Sequence, residues 1–209
     1  TERLYWCHPV QKLGPVLCFA ACSPVSIRVW LFGKQPNIMH TLVLGGIRSG
    51  KTALAERLAS DTNSSVMSLA TAAAGDDEMR ARIQYHQQQR PADWGLEEEP
   101  FALGQVIACC AQKQTPPCIL VDCMSLWLSN LLHAGEETFT RERAAFLEQV
   151  NGYPGELVIV SNEVGLGIIG MDPLTRRFAD ELGWLNQSLA KLCGKVVMSV
   201  AGLPVVLKP

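Results

Sequence analysis

The sequence predicts an α/β fold, a mostly parallel sheet with helices on both faces and an antiparallel strand at its C-terminal end. Three observations predict it. Short, continuously apolar runs alternate from residue 39 onward with stretches of helical period, the pattern of strands buried on both faces. A glycine turn joins the first such run to the first helical stretch. The last two runs, Val196–Val200 and Val205–Leu207, are separated by Ala201-Gly202-Leu203-Pro204, short enough for an antiparallel pair.

Taken in order, Thr41–Leu44 is an apolar strand that runs into Gly45-Gly46, and Ala53–Ala59 is a helix. Val66–Ala70 is a second strand. Asp76–Gln89 is helical, with acidic residues at the end where the helix dipole favours them. Phe101–Gln112 is a helix, Cys118–Val121 a strand, Ser125–His133 and Arg141–Val150 helices, and Leu157–Val160 another buried strand. Pro173 follows Asp172 as a first-turn proline behind its cap and opens a long helix to about Leu192.

Composition narrows the class. The 209 residues carry 18 Lys+Arg against 20 Asp+Glu, a net charge of −2, with 48% apolar and 18% charged residues. That balance supports a sizeable core, excludes the highly charged composition of disorder, and lacks the basic excess of a nucleic-acid footprint. The eight cysteines are scattered without a CxxC pair or zinc-site spacing, so they read as reduced, buried apolar residues of a cytosolic chain.

Residues 1–38 differ from the rest. They hold four prolines and one acidic residue, Glu2, against Arg3, Lys12, Arg28 and Lys34. Leu13–Phe32 is apolar, but Pro15, Pro24 and Arg28 interrupt it and argue against a spanning helix. Phe19-Ala20-Ala21-Cys22 loosely resembles a lipoprotein cleavage site. Met39-His40 stands immediately before the first convincing strand, which favours a working domain of residues 39–209 behind an N-terminal extension, 1–38.

The strongest motif is Gly45-Gly46-Ile47-Arg48-Ser49-Gly50-Lys51-Thr52, which fits GxxxxGK[ST] with a strand before it and a helix after it. Such a P-loop lets backbone N–H groups converge on phosphate oxygens at a helix N-terminus. Lys51 would reach the β- and γ-phosphates and the Thr52 hydroxyl would bind Mg²⁺. Asp122 ends an apolar strand, where a carboxylate holds the magnesium of a nucleotide site. Cys123 follows it, so the acidic pair of ATP-hydrolysing motors is missing, and the chain contains no NKxD guanine-reading motif. These features point to a nucleotide-using transferase.

Arg82, His86 and Arg90 are spaced at i, i+4 and i+8, one face of a helix that reaches Arg90. Flanking cations disfavour protonation of His86, which makes it a poor base and a reasonable neutral nucleophile, or a ligand, beside phosphate; taken alone, one histidine on a helix is more often a surface or packing residue. Arg82 and Arg90 would bind the phosphate oxygens.

With those blocks in hand, the chain resembles the bifunctional adenosylcobinamide kinase/adenosylcobinamide-phosphate guanylyltransferase family. The resemblance rests on the Gly-Gly-x-Arg-Ser-Gly-Lys form of the phosphate loop, Ala70-Thr71-Ala72, Asp77-Glu78-Met79, Arg82-Ile83-x-x-His86 and Arg90-Pro91-x-x-Trp94. Further along it continues through Val121-Asp122-Cys123, Trp127-Leu128-x-Asn130, Ser161-Asn162-Glu163-Val164-Gly165, Leu185-Asn186-Gln187 and Ala201-Gly202-Leu203-Pro204. It covers nearly all of residues 39–209 and none of the leader.

The resemblance implies a RecA-like sheet and a role late in cobalamin assembly in the cytoplasm. It implies phosphorylation of adenosylcobinamide by ATP or GTP, then transfer of GMP from GTP through a GMP–His86 intermediate to give adenosylcobinamide-GDP and pyrophosphate. It places the nucleotide contacts on Gly45, Gly46, Ile47, Arg48, Ser49, Gly50, Lys51, Thr52, Ala70, Thr71, Ala72, Gln87, Gln88, Gln89, Arg90, Glu98 and Asp122, with Mg²⁺ on Thr52 and Asp122. Glu97-Glu98-Glu99 leaves the register at Glu98 open, and some members have Glu where this chain has Asp122. The implied partners are adenosylcobinamide, its phosphate and the nucleotides, with no nucleic acid and no membrane span. A homo-oligomer, a trimer, is implied as well.

Bottom-up, Asn162 and Glu163 are substrate candidates, because residues 161–163 follow a strand where open α/β sheets bind ligands, and Arg82 is a third because its guanidinium could bind phosphate oxygens. Glu163 reads equally as a carboxylate capping the glycine turn after it. Arg176, Arg177, Asn186 and Gln187 read as a solvated face or a subunit contact of the last helix. His8, His40 and His133 carry no assignment. Three alternatives remain: a small-molecule kinase without nucleotidyl transfer, a guanylyltransferase only, and a non-catalytic nucleotide-binding regulator.

Overall fold

The computed structural model describes residues 39–72, 91, 93–168 and 170–209. The leader 1–38 and the expected helix Asp76–Gln89 lie outside the described residues.

Seven strands form one sheet: β1 (Thr41–Gly45), β2 (Val66–Ala70), β3 (Gly95–Glu98), β4 (Cys118–Asp122), β5 (Leu157–Asn162), β6 (Lys195–Val200) and β7 (Leu203–Lys208). Their order is β3-β2-β4-β5-β1-β6-β7. All neighbouring pairs are parallel except β6 and β7. The described helices are α1 (Lys51–Ser60), α2 (Leu103–Ala111), α3 (Met124–Ala134), α4 (Glu136–Gly152) and α5 (Pro173–Leu192).

The side-chain alternation of each strand divides the core in two. Leu42, Leu44, Ile119, Val121, Leu157 and Ile159 pack with the buried residues of α2–α5 on one face. Val43, Cys118, Leu120, Val158 and Val160 pack with Leu54, Ala55 and Ala59 of α1 on the other. Strands covered on both faces have no solvent side, which is why their sequences are continuously apolar. Trp127 and Phe146 anchor the larger face, both fully buried with ring centroids 4.9 Å apart. Such a pair adds about 0.5–1.5 kcal/mol beyond its area. The buried indole N–H is satisfied by the Phe101 carbonyl at 2.7 Å.

Three elements depart from the sequence expectation. β3 was not expected: it is a short edge strand whose one apolar side chain, Leu96, is exposed, so no buried-strand pattern announces it. α4 begins at Glu136, five residues before the expected Arg141, with Glu136 and Glu137 in its first turn facing the positive end of the helix dipole. The hairpin connection shortens to Ala201-Gly202, both at positive φ (51° and 80°), as a two-residue type I′ turn requires. The cap at Asp172 is as expected: its carboxylate accepts from Thr175 N at 2.8 Å, and Pro173 opens the helix. At the other end of α5, Lys208 of β7 donates to the carbonyls of Cys193 (2.6 Å) and Ala190 (3.1 Å), a cation on the negative end of the helix.

Candidate active site

The parallel strands end together, and the chemistry-bearing residues lie on that edge. Gly45 is in register with Asn162 of β5 and Ser199 of β6. Ala70 is in register with both Glu98 of β3 and Asp122 of β4. The strand order sets β5 between the phosphate-loop strand β1 and the Asp122 strand β4, so residues 161–162 sit between the loop and the carboxylate.

The loop itself is built on backbone geometry. Gly50 caps α1 in the left-handed region, φ 88°, and its own carbonyl accepts from Leu54 N at 3.1 Å as the first helical bond. An L side chain would strain that conformation. Ile47 and Arg48 are exposed at the loop tip. Lys51 Nζ folds back to the Gly46 carbonyl at 3.2 Å, which leaves the ammonium over the loop that it would share with a phosphate.

Asp122 and its surroundings are held by side-chain bonds. Thr71 Oγ1 donates to Cys123 O at 2.8 Å and accepts from Cys123 N at 2.9 Å, and Thr71 N donates to Asp122 O at 3.1 Å. The peptide bond between Asp122 and Cys123 is cis. Asn130 of α3 donates to Thr71 O (2.9 Å) and Pro100 O (3.1 Å), joining the ends of β2 and β3. Burial first, and the charge of Asp122 second, push the Cys123 thiol up; the Lys51 charge acts the other way. The thiol therefore stays protonated, and it shares a hydrogen bond with Ser125 Oγ at 3.1 Å.

The donor set fits Mg²⁺. Thr52 and Asp122 offer hard oxygens of the kind Mg²⁺ takes, and the Asp122 and Lys51 charges each act on the Cys123 thiol.

Of the expected site residues, the structure brings Gly45–Thr52, Ala70–Ala72, Glu98, Asp122 and Asn162 to one edge of the sheet. Arg82, His86, Gln87, Gln88, Gln89 and Arg90 lie outside the described residues. Glu99 accepts from the N–H groups of Phe101 (2.8 Å) and Ala102 (3.0 Å) at the start of α2, whereas Glu98 ends β3 in register with Ala70. Glu163 accepts from Gly165 N at 3.0 Å, the turn-capping arrangement.

Asn186 corrects the expectation of a solvated face. It is 6% exposed, accepts from Ser161 Oγ at 2.6 Å and donates to Asn162 O at 2.9 Å. Its position was readable: Leu182, Leu185 and Leu189 form a buried stripe at helical spacing, and Asn186 falls on that stripe. Ser125, which accepts from Asn162 Nδ2 at 3.0 Å, and Ser199 were missed because neither belongs to a motif.

A family model described as cobinamide kinase/cobinamide phosphate guanyltransferase matches residues 41–207. The chain is 47% identical over 171 residues to the bifunctional adenosylcobalamin biosynthesis protein CobP of Pseudomonas aeruginosa, covering 81% of this chain and 98% of that protein. It is 35% identical over 184 residues to the bifunctional adenosylcobalamin biosynthesis protein CobU of Escherichia coli and 36% identical over 184 residues to that of Salmonella typhimurium. Each of those alignments covers 81% of this chain and all of the relative. With the matched region running from the start of β1 into β7, the chain belongs to the cobinamide kinase/cobinamide phosphate guanyltransferase family.

Proposed function

We propose that residues 39–209 form a bifunctional enzyme that phosphorylates adenosylcobinamide with ATP or GTP and then transfers GMP from GTP to the new phosphate. The observation that carries this is the complete phosphate loop Gly45–Thr52 aligned with Asp122 on one sheet edge, in a chain of this family. Loop amides and Lys51 would hold the β- and γ-phosphates, and Ala70–Ala72, Glu98 and Gln87–Arg90 the rest of the nucleotide. Thr52 and Asp122 would hold Mg²⁺, which when bound offsets phosphate charge.

In the kinase step the protein's main work is positioning and charge neutralisation, because phosphoryl transfer passes through a loose transition state. In the second step neutral His86 would attack the α-phosphate of GTP, pyrophosphate would leave, and the cobinamide phosphate would displace the histidine. Covalent catalysis divides one displacement between two anions into two easier ones. Arg82, Asn162 and Glu163 remain our substrate candidates. A cytoplasmic setting suits the five described cysteine thiols, four of them buried. None of the described helices is long and apolar enough to cross a membrane. A homo-oligomer, the trimer implied by the resemblance, belongs to the same proposal; the exposed apolar side chains of β7 offer a surface for it.

The test is GTP labelled at the α-phosphate, incubated with Mg²⁺ and either the natural protein or His86→Ala. A covalent label that is acid-labile and alkali-stable, present only with the natural protein, is the expected result. No label where GTP demonstrably binds moves the function to a kinase without nucleotidyl transfer.

A further inference from the structure

The motif Ala201-Gly202-Leu203-Pro204 stands at the sheet edge, 150 positions from the phosphate loop, and the catalytic scheme above gives it no role. The fold brings it into contact with that loop. The Ser49 carbonyl accepts two hydrogen bonds from the β6–β7 hairpin: from Ser199 Oγ at 2.7 Å and from Gly202 N at 2.9 Å. Ser199 is 1% exposed, so its hydroxyl has no water to turn to. The two backbones touch as well: a Cβ added at Gly50 would lie 3.1 Å from Gly202 Cα. Gly202 occupies the second position of the turn at φ 80°, a conformation that glycine adopts without strain.

The consequence follows from peptide geometry. In a trans peptide the C=O and the following N–H point in opposite directions. Ser49 O and Gly50 N–H belong to one peptide unit. Pinning the carbonyl on the hairpin directs the Gly50 N–H away from the hairpin, the side on which a phosphate bound by this loop would take it. A loop peptide free to turn over would present a carbonyl oxygen there, which repels phosphate.

We propose that Ser199 and Gly202 are positioning residues for the phosphate loop, holding the Ser49–Gly50 peptide in the orientation that offers its N–H to a phosphate oxygen. This rests on the reading of Gly45–Thr52 as the nucleotide site. It adds to that reading a support outside the motif, built from the C-terminal hairpin and contacting no substrate.

Isothermal titration with Mg·GTP and with inorganic tripolyphosphate tests it, on the natural protein, Ser199→Ala, Ser199→Thr and Lys51→Ala. Ser199→Ala is expected to weaken both ligands by about 3- to 10-fold, the equivalent of one hydrogen bond. Ser199→Thr, which keeps the hydroxyl, is expected to restore the affinity. A purely structural role would lower the melting temperature but leave the affinity of the folded protein unchanged. Amide exchange in the natural protein gives an independent measurement: tripolyphosphate is expected to slow exchange at Gly202. It carries the test alone if the variants do not fold. Natural affinity in Ser199→Ala together with unchanged Gly202 exchange overturns the proposal. If Lys51→Ala still abolishes binding in that case, the nucleotide reading stands and only the hairpin's role falls. Failure of the natural protein to bind either ligand overturns both.

Discussion

Thr71 and Cys123 bond each other twice, hydroxyl to carbonyl at 2.8 Å and amide to hydroxyl at 2.9 Å, although 52 positions separate them. Thr71 is fully buried, and this pair fixes the backbone turn that follows Asp122. Thr71→Val keeps the shape and leaves the buried N–H of Cys123 without its partner, while the Cys123 carbonyl keeps the bond from Trp127 N at 3.2 Å. It is expected to cost about 1–3 kcal/mol in denaturant unfolding. Thr71→Ser, which keeps the hydroxyl, is expected to lose less than half of that.

Asn186 joins α5 to the end of β5 through Ser161 and Asn162. Asn186→Leu would strand two buried groups, and we expect a loss of about 2–3 kcal/mol. The next residue, Gln187, is exposed, and Gln187→Ala is expected to change stability by less than about 0.5 kcal/mol. Chemical denaturation of the two variants side by side checks the contrast.

In the proposed kinase step Lys51 would neutralise charge that develops on the transferred phosphate. Lys51→Ala is expected to lower the kinase kcat by about 100-fold or more while the far-ultraviolet dichroism is unchanged. Phosphorylation of cobinamide followed with γ-labelled ATP measures it.

His40 sets a pH limit on stability. It is 8% exposed, and burial lowers its pKa, only partly offset by a hydrogen bond with the Val150 backbone. The unfolded chain takes up a proton near pH 6.5 while the folded chain does not until lower pH. Stability from this group is therefore complete above about pH 6.5 and is lost as pH falls from there through the folded value. Thermal melts between pH 8 and pH 5 are expected to show the decline, with a shallower slope in His40→Gln.

The central strands were legible because burial on both faces leaves no room for polar alternation. The phosphate loop was legible because its chemistry lies in eight consecutive residues, Gly45–Thr52. β3 was not, since an edge strand ending in Glu97-Glu98 needs only one partner and no buried side chain. The early start of α4 was missed because Glu136–Thr140 has only Phe139 buried, too little for a period to show.

The sequence by itself determined the alternation of strands and helices, the phosphate loop, Asp122 at a strand end and the family. Each of these is a local pattern, written in side chains a few positions apart. Only the tertiary structure decided that β5 lies between the loop and Asp122, that Asn186 is buried under the site, and that the Ser49 carbonyl is held by Ser199 and Gly202. The last two depend on hydrogen bonds between residues 24 to 153 positions apart. Such bonds form only after hydrophobic burial has set the strand order, and a polar residue carries no local mark of the partner it will meet there.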